Sequence, residues 1–209
     1  MTLFLSDLHL GNPKCKADEL LSFLDSCQDD DVFLVGDIFD DIMRVWPQSH
    51  LDVVRRLLSF ERIVYLPGNH DAGFRSAPIL TDRFLILDEC RYEASNGLKY
   101  LIVHGDRYDL AMWLGNGPKW LRRLITSYRR DVHSRIMTSR IEKGAIADVK
   151  SLGFDGIICG HTHSPVHKLI NDIDYVNCGD WLWHKTAVVD RGDGLKLIEA
   201  SNELSAQDA

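Results

Sequence analysis

Residues 3–11 read Leu-Phe-Leu-Ser-Asp-Leu-His-Leu-Gly: a short apolar strand, then a polar cluster holding Asp7 and His9. The same order recurs four times. Val32-Phe-Leu-Val35 leads into Gly36-Asp-Ile-Phe-Asp40, and Ile63-Val-Tyr-Leu66 into Pro67-Gly-Asn-His-Asp71. Tyr100-Leu-Ile-Val103 leads into His104-Gly-Asp106, and Gly156-Ile-Ile-Cys159 into Gly160-His-Thr-His163. The segments between the first strands carry helical periodicity. Leu20, Leu21, Leu24 and Cys27 share one face of residues 17–27, and Leu51, Val54, Leu57 and Leu58 one face of 49–59, where Ser49 and Asp52 have capping-box spacing. Strands alternating with helices predict a largely parallel sheet under helices. Later strands lie closer together, 91–94 with 100–103 and 166–170 with 174–177, as antiparallel hairpins. The expected fold class is therefore α/β, a four-layer α/β/β/α sandwich of two stacked sheets with outer helices. Ligands in such sheets sit beyond the carboxyl ends of the strands, where all five polar clusters fall.

The chain has 209 residues, 45% hydrophobic and 26% charged, which fits one globular domain over 1–209 and excludes disordered, collagenous and coiled-coil classes. Apolar runs stop at four or five residues, too short for a membrane span, and Asp7 and His9 interrupt the one N-terminal apolar stretch that could resemble a secretory signal. Five cysteines without metal-type spacing (Cys15, Cys27, Cys90, Cys159, Cys178) read as reduced thiols in a cytoplasmic protein. The net charge of -7, from 31 acids and 24 bases, argues against a nucleic-acid coat, and no nucleic-acid partner is expected.

Together the clusters offer Asp7, His9, Asp37, Asn69, His104, His161 and His163. Carboxylate, imidazole and amide oxygen without thiolate describe a site for borderline-to-hard divalent cations. Seven donors exceed the needs of one ion and suit two, about 3.5–4 Å apart and sharing a carboxylate. Asp7-x-His9 and His161-x-His163 place paired donors that a turn can direct to different ions. Any one cluster alone is an ordinary turn; five at strand ends, holding His9, His70, His104, His161 and His163, are not. The remaining histidines, His50, His133, His167 and His184, read as surface or supporting residues.

In this order, Asp-x-His, Gly-Asp-x-x-Asp, Gly-Asn-His-Asp, His-Gly-Asp and Gly-His-x-His resemble the calcineurin-like metallophosphoesterase superfamily over roughly residues 1–199. The resemblance implies that Asp7, His9, Asp37 and His163 hold a first metal and Asp37, Asn69, His104 and His161 a second, with Asp37 bridging. It gives His70 a contact to the phosphoryl or leaving oxygen, oriented by Asp71. The implied activity is hydrolysis of a phosphoric ester or pyrophosphate, in which two cations neutralise the anionic oxygens and activate a water for in-line attack.

Residues 109–144 form an insertion that the core does not require, expected as a helical lid. Trp113, Leu114, Trp120, Leu121, Leu124, Ile125, Tyr128, Val132 and Ile136 recur there at helical spacing. Within 119–143, Lys119, Arg122, Arg123, Arg129, Arg130, Arg135, Arg140 and Lys143 oppose only Asp131 and Glu142. Such a segment reads as a surface for an anionic membrane or as a cover for a partly apolar substrate. With Ser-Asp-Leu-His-Leu-Gly, Gly-Asp-Ile-Phe-Asp, His-Gly-Asp-x-Tyr-Asp (104–109) and Asn177-Cys-Gly-Asp-Trp181 it makes the chain similar to the UDP-2,3-diacylglucosamine hydrolase family, peripheral inner-membrane enzymes of lipid A synthesis that release UMP and 2,3-diacylglucosamine 1-phosphate. That likeness implies manganese at both sites, with Zn²⁺, Fe²⁺ and Mg²⁺ as alternatives. The family commonly has arginine where this chain has His70. The competing functions are a phosphoesterase of soluble nucleotides or other small phosphoesters, a nuclease, and a non-catalytic scaffold. Oligomeric state is not legible.

Overall fold

The computed structural model describes residues 1–109, apart from 29, 41, 42, 44, 77–80 and 82, and residues 132–201, with side chains from 138 onward in the last segment. Within them lie eleven strands in two sheets. The first sheet contains β1 (Thr2–Leu5), β2 (Asp31–Leu34), β3 (Arg62–Tyr65), β4 (Phe84–Ile86), β10 (Thr186–Asp190) and β11 (Leu195–Glu199), in the order β11-β10-β1-β2-β3-β4. β1 to β4 run parallel, and β10 returns antiparallel beside β1. The second contains β5 (Cys90–Glu93), β6 (Lys99–Ile102), β7 (Gly156–Cys159), β8 (Val166–Ile170) and β9 (Ile173–Asn177), ordered β5-β6-β7-β9-β8. Its centre is parallel, and its two edges are the antiparallel hairpins expected from the sequence.

Strand alternation builds the layers. Phe4, Phe33, Val64, Tyr100, Ile102, Ile158 and Val176 pack between the sheets. Their neighbours Leu3, Leu5, Val32, Leu34, Ile63 and Tyr65 turn to the outer face of the first sheet, under helices α1 (Ala17–Ser26) and α2 (Gln48–Leu57). Leu101, Ile157, Cys159 and Tyr175 turn to the outer face of the second sheet, under α3 (Val132–Leu152) through Ala145, Ile146 and Val149. Strands apolar on both faces are what a sheet covered on both sides requires. The result is the α/β/β/α sandwich.

Two local expectations fail. The capping box at Ser49 and Asp52 does not form: α2 starts at Gln48 behind Pro47, and Asp52 instead accepts from Gln48 Nε2 at 2.9 Å and Arg55 Nη1 at 2.5 Å. The buried face of α2 is His50, Val53 and Leu57, while Leu51 and Leu58 are exposed. His50 is drawn inward because its Nδ1 accepts the Gly11 N–H at 3.0 Å, a backbone donor that burial would otherwise orphan. Of the expected insertion, residues 110–131 lie outside the described residues. Its last part belongs to α3, which continues through Gly144 into the core layer.

Candidate dinuclear metal centre

The site gathers at the carboxyl ends of β1, β2, β3, β6 and β7. Backbone bonds set its frame: Asp7 N–H donates to Gly36 O at 2.9 Å, His9 N–H to Asp37 O at 3.0 Å and Gly160 N–H to His104 O at 2.9 Å. Five donor residues sit in the left-handed region, with φ of 53° at Asp7, 52° at His9, 53° at Asp37, 67° at His161 and 51° at His163. Residues with a Cβ avoid that region, so the strain concentrates where side chains must be aimed. In both x-separated pairs this conformation directs alternate residues into one cavity, a signal that residue spacing alone does not carry. Glycine is required where strands come closest. A Cβ on Gly36, already at φ 83°, would overlap the His104 ring, and one on Gly160 would overlap Ser6 Oγ and Asp7 Oδ2.

Asp7 is fully buried. Its Oδ2 lies 2.5 Å from Ser6 Oγ and accepts the His161 N–H at 2.9 Å, which leaves Oδ1 facing the cavity. There Oδ1 is 3.1 Å from His163 Nε2 and 3.9 Å from His9 Nε2, and the two imidazole nitrogens are 3.3 Å apart. Donors at about 2.1 Å from one tetrahedral ion stand about 3.4 Å apart, so this triangle has the size of a coordination face. His9 turns Nδ1 toward Asp40 Oδ1 at 3.2 Å, and His163 turns Nδ1 toward the buried Asp180 at 4.0 Å. Neither contact is a hydrogen bond, so the two carboxylates act on these rings by charge at close range, while both Nε2 atoms face Asp7 Oδ1.

A second group joins Asp37, His104 and His161, whose ligand atoms lie within 4.8 Å of one another. His104 Nδ1 donates to Val35 O at 2.8 Å, so its lone pair is on Nε2, 3.4 Å from Asp37 Oδ1. His161 sets Nε2 against Asp109 Oδ2 at 3.1 Å; with that hydrogen given to the carboxylate, its lone pair is on Nδ1. Asp37 also groups with His9 and His70, which places it between the two triads. Asn69 Oδ1, Asp7 Oδ1 and His104 Nε2 are buried without a hydrogen-bond partner. Buried acceptors that give up water without gaining a donor are costly, and a cation is a partner that fits them.

Protonation behaviour agrees with this charge. Burial alone would depress His104, but Asp37 and Asp7 outweigh it and push its pKa up to about 10. Burial would likewise lower His163, yet Asp7 and Asp180 raise it. Asp7 and Asp37 are raised by burial and more than offset by His163 and His104 respectively, leaving both below the usual carboxylate range. Protons on imidazole balance the acids where metal charge would otherwise do so.

His70 is half-exposed at the rim, its ring edge-on to His9 with centroids 4.9 Å apart. Its backbone N–H donates to Asp37 Oδ1 at 2.8 Å, and its Nδ1 meets Asp40 Oδ1 at 2.6 Å. The expected orientation of His70 by Asp71 is therefore corrected. The Asp71 carboxylate is occupied by backbone, accepting from Gly68 N at 2.5 Å, Ile38 N at 2.6 Å and Phe39 N at 3.3 Å, which clamps the two loops that carry Asp37 and Asn69. Asp40, Asp109 and Asp180 are buried supports that the donor list misses. Asp40 was present as the last residue of Gly-Asp-x-x-Asp, Asp109 as the last of His-Gly-Asp-x-Tyr-Asp and Asp180 in Asn-Cys-Gly-Asp-Trp, and none of the three reads as a donor from sequence.

The comparisons with known proteins agree with this geometry. Residues 1–165 match the calcineurin-like phosphoesterase family. No curated protein sequence matches the chain. Among solved structures, the phosphoesterase Yfce from E. coli is similar at 16% identity, covering 97% of this chain and 94% of its own, with a TM-score of 0.57. An archaeal phosphodiesterase is similar at 16% identity over 94% of this chain and 98% of its own, with a TM-score of 0.52. Vps29 of Chaetomium thermophilum is similar at 13% identity over 94% and 84%, with a TM-score of 0.51. At these identities the likenesses speak for the fold. The match across most of the chain carries the assignment: this protein belongs to the calcineurin-like phosphoesterase family, the metal-dependent phosphoester hydrolases.

Proposed function

We propose that the chain hydrolyses a phosphodiester or pyrophosphate bond with two divalent cations, one on Asp7, His9 and His163, the other on His104, His161 and Asn69, and Asp37 shared. The observation that carries this reading is that Asp7 Oδ1 and His104 Nε2 are buried and unpartnered within two adjoining triads, with Asn69 Oδ1, equally buried and unpartnered, next in sequence to His70, whose N–H holds Asp37. Bound there, the cations supply charge neutralisation at the phosphoryl oxygens and activate a water for in-line attack. The protein's own part is positional. Asp40 accepts the Nδ1 hydrogen of His70 and directs Nε2 to the mouth of the site, where the ring, when it carries both protons, donates to an oxygen of the reacting phosphoryl group. His70 N–H holds the Asp37 carboxylate, which ties the rim histidine's backbone to the shared acid. The test is turnover of phosphodiesters, pyrophosphates and phosphomonoesters with Mn²⁺, Zn²⁺, Fe²⁺ or Mg²⁺ after chelation. Hydrolysis that returns with added metal supports the reading; metal-independent turnover, or none on any substrate, counts against it.

A finer reading takes UDP-2,3-diacylglucosamine as the substrate, manganese as the metal and an anionic membrane surface as the partner of residues 119–143. It is supported by the motif resemblance and by the basic, aromatic composition of the insertion, most of which lies outside the described residues. No described helix is long and apolar enough to cross a membrane. Higher kcat/KM on the UDP-linked lipid than on soluble diesters supports it; equal or lower values favour a small soluble phosphoester.

A further inference from the structure

Beside His163 the chain exposes an indole that the core does not use. Trp183 is 59% exposed, whereas its neighbours Trp181 and Leu182 are buried. Its ring centroid is 5.8 Å from that of His163, and Lys14 Nζ lies 5.7 Å from the indole centroid. Both loops are fastened to the metal centre. Trp183 N–H donates to the buried Asp180 at 2.7 Å, and Trp181 N–H to Asp7 O at 3.1 Å. Lys14 N–H donates to Asn12 Oδ1 at 3.0 Å, and Asn12 Nδ2 to Asp40 Oδ2 at 2.9 Å, on the carboxylate that also holds His9 and His70. Lys16 N–H donates to Trp181 O at 2.9 Å and ties one loop to the other. An exposed tryptophan on a mobile tip would be incidental. This one is held in register with the reacting centre.

We propose that Trp183 and Lys14 form a subsite for the base of a nucleotide-containing substrate, which rests on the phosphoesterase reading above and narrows its substrate class. The indole offers a flat face at one side of the phosphoryl site, and a purine or pyrimidine is the planar group that a phosphoester carries at short reach. Lys14 supplies a cation for a phosphate that is not cleaved. Lys14, with its ammonium over the exposed indole, favours a planar, anion-bearing group over an acyl chain, which needs a concave apolar wall. Stacking of a base on an aromatic side chain is worth about 1–3 kcal/mol, so losing it costs roughly tenfold or more in binding.

The test compares thymidine 5′-(p-nitrophenyl phosphate) with ethyl p-nitrophenyl phosphate, which share the leaving group and the scissile bond and differ only in the nucleoside. The wild type is expected to prefer the thymidine compound by about tenfold in kcat/KM, through KM. Trp183→Ala should lose that preference and Trp183→Phe should retain most of it. UMP or AMP should quench wild-type indole fluorescence more than that of Trp183→Ala. No preference in the wild type, or a preference and quenching that survive Trp183→Ala, overturns the subsite. If neither ester is hydrolysed with any metal while quenching persists, the subsite stands and the phosphoesterase reading is what fails.

Discussion

His70 and Asp40, thirty residues apart, meet at 2.6 Å between Nδ1 and Oδ1, while Asp71, the residue next to His70, is turned away into the backbone. The pairing fixes the ring's orientation: Nδ1–H faces a carboxylate that favours the doubly protonated ring, and Nε2 is the atom turned to the substrate. Asp40→Ala should lower kcat by about 10²-fold or more, within the usual range for a misplaced general acid or oxyanion contact. Residues acting as one unit are non-additive, so adding His70→Ala to Asp40→Ala should cost little more. Additive losses in the double variant would separate the two residues.

Asp71→Ala should act on stability. It removes the acceptor of three backbone N–H groups, two of them buried, at an expected cost of about 2–4 kcal/mol. In a chain of this size that lowers Tm by roughly 5–15 °C, measurable by calorimetry. An unchanged Tm with a large fall in kcat would return Asp71 to the role first expected of it.

Gly160→Ala should damage the first triad selectively. The added methyl overlaps Ser6 Oγ and Asp7 Oδ2, and neither can retreat, since Ser6 also contacts Val35 O and Asp7 accepts from His161 N–H. Overpacking of this kind costs about 1–3 kcal/mol, and it should weaken metal uptake through Asp7. Titration calorimetry showing wild-type affinity for both ions would mean that the strand ends yield more than the structure implies.

The stability that metal adds should depend on pH. His104 and His163 have pKa values above the ordinary 6.5, so in the metal-free fold their contribution is full below about 6.5 and is lost as pH rises, through about 10 for His104. Asp7 and Asp37 lie below the ordinary 3.8, so theirs is present above that value and lost as pH falls. The chelated protein should therefore be most stable near pH 4–6.5. Cations compete with protons for the histidines, so the gain in Tm on adding metal should grow from pH 6 to pH 8.5. A gain that shrinks over that interval would mean that the histidines are not ligands.

The layers were legible because a short apolar strand followed by a polar cluster occurs five times, with helical periodicity between the first strands. Placement of the final strands was not, since Thr186–Asp190 carries no local mark that it will pair with Thr2–Leu5 rather than extend the second sheet. The face of α2 was misread because the polar His50 is drawn into the core by the Gly11 N–H, a tertiary bond that periodicity cannot register. The donor residues stood out by chemical type. Their supports, Asp40, Asp109 and Asp180, did not, since a carboxylate behind an imidazole looks in sequence like any other acid. Nor did the left-handed backbone at Asp7, His9, Asp37, His161 and His163, because no side chain there announces it.

The central claim is that one carboxylate, Asp37, serves two ions. Metal content measured by mass spectrometry on purified protein, after equilibration with Mn²⁺ and removal of free ion, tests it most directly. The account predicts two ions per chain for the wild type, and a fall at both sites, to well under one per chain in total, for Asp37→Ala, with fold retained by circular dichroism. A variant that still holds two ions, or that loses one while keeping the other at full occupancy, would contradict it.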